Sequence, residues 1–232
     1  MIQLTVYPAA FGEPSASPFC MKAICMLKAA GLPFETLETG DPRKTPKGKL
    51  PVIRAKGEVI ADSEQVRAHI EASAEFDFDA GLSDYDRAVS RAVIRMVEEH
   101  LYFAIVADRW GEDDNWRHVR AAFFSDIPWL IRGLVTRFVR KQAMQQLHGQ
   151  GIGRHTREER FDRVRRDIVA LKGVLGGRQF LFGDRPSAAD YSVVPMLRAA
   201  LVTPVQKPLG NFISNDPVLM AYVDRVMAQC YP

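Results

Sequence analysis

Cysteine is scarce in this chain. Cys20, Cys25 and Cys230 are the only three in 232 residues. An odd number cannot pair completely, and none stands in a C-x-x-C or Cys/His zinc spacing. This argues against a disulfide scaffold or a metal site and fits a reduced, cytoplasmic compartment. Met1 to Val6 lacks a charged n-region and a cleavage site, so no secretory signal is expected. Long apolar runs are missing too. The strongest, Ile127 to Val139, is broken by Arg132 and Arg137 and is too short to span a bilayer, so no membrane anchor is expected. There is no concentrated basic stripe either. Residues 1–78 carry 9 Lys+Arg against 10 Asp+Glu, the remainder 22 against 18, and the net charge is only +3. That balance speaks against a nucleic-acid partner and leaves room for small anions.

The composition that remains is that of a globular protein, with 47% hydrophobic and 25% charged residues. At this length the chain forms one large domain or two small ones. The first 76 residues mix short strand and helix signals. Ile2 to Tyr7 alternates with period two until Pro8. Ser17-Pro18 opens a helix closed by Gly31, with Ala23, Ile24, Leu27 and Ala30 on its apolar face. Pro33 to Glu38 reads as a second strand. Leu50 to Ile53 and Glu58 to Ile60 read as a hairpin turning at Lys56-Gly57. Asp62-Ser63-Glu64 starts another helix, with Ser63 as its cap and Val66 and Ile70 on its inner face.

From Asp84 onward only helical patterns appear. Tyr85, Val89, Val93, Met96 and Val97 mark a long amphipathic helix. Trp116 to Arg140 reads as helical and aromatic-rich. Phe161, Val164, Ile168, Leu171 and Leu175 mark another helix, and Ser187-Ala188-Ala189-Asp190 is a capping-box start. Leu219, Val223 and Val226 mark the last. The expected fold is therefore an α/β domain over residues 1–76 and an all-helical domain over 84–232, joined by an acidic, Gly-containing linker.

Three elements carry chemistry. A helix start presents free amides and partial positive charge, so Ser17 either only caps its helix or also donates to a bound thiolate. Lowering a thiol of pKa about 8.5 by two units takes about 2.7 kcal/mol. One charge-assisted hydrogen bond plus helix-end amides supplies that. Leu50-Pro51 is an X-Pro bond at which a cis peptide is cheap. In cis it would offer the Leu50 backbone to a ligand as an added strand; otherwise it is an ordinary edge strand. Asp62-Ser63 is either a plain helix cap or a site for the zwitterionic end of an amino acid.

Together these elements resemble the glutathione transferase superfamily, in its metaxin and failed-axon-connections-like branch. Ser17-Pro18-Phe19-Cys20 resembles the active-site turn, Leu50-Pro51 the cis-proline element, and Asp62-Ser63 the pair that binds the γ-glutamyl end. The stretch Phe182 to Asp190 resembles the family's G-x-x-P-[ST]-x-A-D capping motif. Gly149 to His155 resembles the G-x-G-x-G-R-H stretch of that branch, with Arg154 and His155 as outside candidates for the cleft. The resemblance implies a thioredoxin-like domain before a helical one, and glutathione as co-substrate with no metal. It also implies a homodimer and conjugation of the glutathione thiolate to a small apolar electrophile. Ser17 is then the catalytic residue, with Tyr7 and Cys20 as alternatives and Ser15 more remote; Lys49, Leu50, Pro51, Asp62 and Ser63 bind glutathione. Cys20 holds the second position of a C-x-x-C whose first is serine, which suits a buried helix residue. The aromatics Tyr102, Phe103, Trp110, Trp116, Phe123, Phe124 and Trp129 are expected mostly in the core, one or two of them walling a substrate pocket. Two alternatives stay open: a non-catalytic scaffold, and a glutathione-dependent thiol reductase.

Overall fold

Alternation in the first strand, β1 (Ile2–Val6), buries Leu4 and Val6 on one face. The computed structural model describes residues 1–205 and 207–230. β1 runs parallel to β2 (Phe34–Glu38), a pairing that needs a crossover, supplied by helix α1 (Pro18–Ala29). β3 (Val52–Ala55) and β4 (Glu58–Ala61) complete a sheet of order β2-β1-β3-β4. Their hairpin turns at Lys56 (φ 50) and Gly57 (φ 85), two consecutive positive φ values that match the right-handed twist of the strands. β3 starts two residues later than the sequence suggests, because Pro51 has no N–H for the ladder.

α2 (Ser63–Ala74) packs beside α1 and against β3 and β4. The helical half follows as α3 (Asp84–Met96), a π turn (Val97–Leu101), α4 (Tyr102–Gly111), α5 (Asp113–Phe124) and α6 (Trp129–Gln150). After a 3-10 turn (Ile152–Arg154) come α7 (Arg157–Leu175), α8 (Ala188–Leu201), α9 (Pro208–Ser214) and α10 (Pro217–Cys230). The family-level reading of a thioredoxin-like sheet unit followed by helices is what the architecture shows.

Three expectations need correction. Trp116 to Arg140 is not one helix: residues 125–128 break it, because Pro128 holds extended backbone (ψ 134) before α6. Tyr85 and Trp129 do not join the core; they are 77% and 78% exposed. The stretch 73–83 is no loose linker. Asp79 is buried in it, paired with Arg67 at 2.8 Å and accepting from the Ala188 N–H at 3.1 Å. Phe78 packs edge-on against Tyr191.

The two halves meet around α1, which contacts α2 on one side and α8 and α10 on the other. Lys22, in its middle, is completely buried. Its ammonium pairs with Glu64 of α2 and, at 2.7 Å, with Glu98 of the π turn. Arg91 and Arg95 of α3 close the network, each 2.5 Å from Glu64 or Glu98 respectively. Burial pushes the Glu64 carboxyl up, but Lys22 and the arginines outweigh it and hold it below its ordinary value.

The capping box at Ser187 and Asp190 is present. Asp190 accepts from the Ser187 N–H (2.7 Å), the Leu181 N–H (3.0 Å) and the Tyr222 hydroxyl (2.8 Å) with no exposure to water. Replacing Asp190 with Ala strands four buried donors, the Ser187 hydroxyl (2.7 Å) among them, each worth about 1–3 kcal/mol. Chemical denaturation of Asp190→Ala should show a loss of about 4 kcal/mol or more.

Asp108 of α4 gives a pH signature. Burial raises its carboxyl to about 6, although Arg160 and Arg157 pull it down. A carboxyl raised in the folded state favours the protonated form. Its stabilisation is therefore present below the unfolded pKa and is lost as pH rises from about 4 to about 6. Two units correspond to about 3 kcal/mol. Asp108→Asn should unfold at a higher temperature than wild type at pH 7.5, with the difference shrinking toward zero at pH 4 in melting scans.

Candidate functional site

Strand register brings the flagged residues to one end of the sheet. β1 and β3 are antiparallel with Thr5 opposite Val52, so Tyr7, just past β1, lies beside Leu50-Pro51, just before β3. Val52 in turn faces Ala61, and the Asp62 N–H donates to the Pro51 carbonyl at 3.3 Å. α1 and α2 both begin at this end. The Leu50-Pro51 peptide is cis, and the Leu50 backbone lies outside the ladder registers. Lys49 beside it is exposed, its carbonyl held by the Thr45 hydroxyl at 2.9 Å.

Ser17 is the N-cap of α1. Its Oγ accepts from the Cys20 N–H at 3.4 Å, and its side chain is partly open to the cavity described below. Ser15 is buried; it donates to the Tyr7 carbonyl at 2.8 Å and accepts from the Ser17 N–H at 3.4 Å. It therefore fastens the loop over residues 8–16 to the strand end. Tyr7 borders the cavity, and burial pushes its hydroxyl well above the ordinary range, so it remains a proton donor at neutral pH. Cys20 is fully buried beneath the helix start, and burial raises its thiol. All three cysteines are free and buried.

At α2 the cap assignment shifts by one residue. Asp62, not Ser63, is the N-cap: its Oδ1 accepts from the Glu64 N–H at 2.9 Å. Its φ of 96 is unusual, and Asp tolerates it better than most residues. Ser63 is the first helical residue and is buried, while Asp62 is exposed.

A cavity of about 450 Å³ opens between the start of α1 and the wall made by α4, α5 and the turn after α5. On one side it presents Tyr7 and Ser17. On the other it presents Tyr102, Trp110, Phe123 and Phe124. The sequence assigned one or two aromatics to such a wall; the helix breaks at Glu112 and folds α5 back on α4, so that Tyr102 and Trp110 of α4 stand with Phe123 and Phe124 of α5. Trp116 lies behind them, against Trp110 at 5.2 Å. Leu50, Pro51, Asp62 and Ser63 stand beside the cavity along the sheet end and are not part of its wall.

Arg154 and His155 are elsewhere. Arg154 donates to the His148 carbonyl at 3.1 Å, and His155 lies 3.6 Å from Glu159. A Cβ on Gly153 would come within 2.8 Å of the His148 nitrogen, so the glycine there serves the close approach of the turn to α6. The cavity residue that sequence reasoning missed is Arg109. Its signal was present: it lies three to four residues beyond Ile105 and Val106 on the apolar face of α4, where a lone cation is out of place. Among the described residues no cluster suited to a metal ion is found, and no helix is long and apolar enough to cross a membrane.

Comparison with known proteins places this geometry. Residues 18–116 match the glutathione S-transferase N-terminal domain, and residues 154–225 the glutathione S-transferase C-terminal domain. The chain is 30% identical to the isoprene-epoxide glutathione S-transferase of Rhodococcus sp. (strain AD45), covering 99% of both chains. It is 31% identical to Failed axon connections of Drosophila melanogaster, covering 94% of this chain and 55% of that longer protein. Metaxin-1 of Sus scrofa is 23% identical over the whole chain and 75% of its own length. Among solved structures, the glutathione transferase GSTFuA3 of Phanerochaete chrysosporium superposes with a TM-score of 0.69 at 16% identity, over 98% of this chain and 96% of that one.

Proposed function

The chain belongs to the glutathione S-transferase superfamily, and from that premise we propose that it is a transferase joining the glutathione sulfur to a small apolar electrophile. The two-sided cavity carries this reading: hydroxyls at a helix start face an aromatic wall across a space of about 450 Å³, a size suited to a small ligand. In this reading the glutathione backbone pairs with Leu50 beside cis-Pro51, and Lys49 meets the glycyl carboxylate. Asp62 and the start of α2 at Ser63 hold the γ-glutamyl end. The thiol then lies over the start of α1. It releases its proton to solvent, and Ser17 donates a hydrogen bond to the thiolate, with Tyr7 as a second donor.

The thiolate attacks an electrophilic carbon held against the aromatics, and proximity supplies much of the rate. With an epoxide, the electrophile in the Rhodococcus relative's name, one ring C–O bond breaks as the C–S bond forms. The resulting alkoxide takes a proton from water. A thiol reductase is disfavoured because Cys20 offers no accessible sulfur. A glutathione-transferase-like protein without turnover is the second reading, supported by the likeness to Failed axon connections and metaxin-1, whose names state no transferase activity.

Calorimetric titration with glutathione tests the site. Wild type should bind saturably. Asp62→Asn with Ser63→Ala keeps the cap oxygen of α2, removes the charge, and should weaken binding about tenfold or more. Ser17→Ala should leave affinity nearly intact while lowering turnover of an epoxide about 10- to 100-fold, the worth of one hydrogen bond to a charged group. A cooperatively melting wild type that binds nothing at millimolar glutathione would replace the transferase with the second reading.

A further inference from the structure

Arg109 is a buried cation with no carboxylate bonded to it among the described residues. Only 6% of it is exposed, and its guanidinium is held by neutral oxygens. Nε donates to Thr203 Oγ1 at 3.3 Å, Nη1 to the Ala16 carbonyl at 3.4 Å, and Nη2 to the Ala199 carbonyl at 2.7 Å. Its Cζ also lies 5.3 Å from the centre of the Phe11 ring. A buried charge is ordinarily matched by an opposite one. Here no carboxylate among the described residues is paired with it, one N–H on each Nη is left over, and the side chain lines the cavity.

The surrounding groups leave that charge incompletely cancelled. Glu13, on the loop before α1, acts on Arg109 through space and draws its guanidinium pKa upward, but its carboxylate is paired with Arg198 of α8, so it cancels the charge only in part. Asp41, after β2, is tied to Arg43 at 2.7 Å. Asp126, on the turn after α5, is exposed at the cavity's other rim. Tyr7, Tyr102 and Cys20 are all shifted toward their neutral forms by burial. Burial also lowers Arg109 itself to about 10, so it stays charged at neutral pH. Ala16 immediately precedes Ser17, so the guanidinium stands one residue from the cap of α1. There the helix amides already gather positive potential.

We propose that Arg109 is the electrostatic partner of Ser17, holding the bound glutathione sulfur as thiolate; this rests on the transferase reading of the cavity. The helical half thereby supplies a charge to the sulfur that the sheet half positions. An opposite charge within about 4–6 Å lowers an ionisable group by about 1–3 pH units.

The test is the ultraviolet thiolate band of the glutathione complex, followed against pH. Arg109→Met should raise the apparent pKa of the bound thiol by about one unit or more, while Arg109→Lys, which keeps the charge, should stay near wild type. Thr203→Asp, placing a carboxylate against Nε, should raise it as Arg109→Met does with the arginine in place. It also decides the matter if Arg109→Met does not fold. A folded, glutathione-saturated Arg109→Met or Thr203→Asp protein with the wild-type thiol pKa would overturn the proposal and leave Arg109 as a clamp between α1, α4 and α8. So would an equal rise in Arg109→Lys. Absence of glutathione binding by wild type would appear in calorimetry before any pH series, and would remove the transferase reading instead.

Discussion

A single ammonium group organises the meeting of sheet and helices. Lys22 has no access to water, and two carboxylates from different elements converge on it. Such a charge is tolerable only where its partners are fixed, and that requirement specifies how α1, α2 and the π turn must sit. The functional end inherits the constraint. Lys22 is one helical turn and a residue beyond Ser17 on α1. Glu64 directly follows Ser63 on α2, and the same Glu64 that meets Lys22 through its carboxylate gives its N–H to Asp62. The cap of one helix and the charge pairing of another are two ends of one residue.

The local rules were legible in the sequence because they act over a few residues. Period-two alternation found β1, Ser17-Pro18 found the start of α1, and Ser187 with Asp190 found the start of α8. What stayed hidden was settled by distant contacts. Lys22 reads as an ordinary solvated lysine until Glu98, far along the chain, is folded against it. Asp62 and Ser63 are both good caps, and only the β4 exit, with φ 96, selects Asp62. The aromatic set could be recognised as helical, but its division between core, cavity wall and solvent depends on how α5 folds back on α4 at Glu112 and on the break at 125–128 that leaves Trp129 exposed. Arg109 was passed over because a cation on an apolar face draws notice only when its partners prove to be neutral.

The candidate residues were legible only as an ensemble. No single element among Ser17, Leu50-Pro51 and Asp62-Ser63 says more than helix cap or strand edge. Their convergence follows from sheet register: antiparallel pairing of β1 with β3 and of β3 with β4 puts one strand exit beside two other strand ends. The helical half adds what the sheet lacks, an apolar wall and a charge. The cavity is therefore a joint product of both halves.

The π turn at Val97–Leu101 has a consequence for how this molecule tolerates change in length. α3, the turn and α4 form one continuous rod, with Glu98 aimed at Lys22 and, further along, Tyr102 and Arg109 aimed at the cavity. The wider turn carries one residue more than an α-helical repeat would. Each residue advances the helix by about 100°, so this single insertion sets the phase between two functional faces of one rod. A drift in sequence that shortened the turn by one position would leave every side chain in place chemically. It would nonetheless turn the cavity face away from the start of α1, as a key cut correctly but seated a notch out of line.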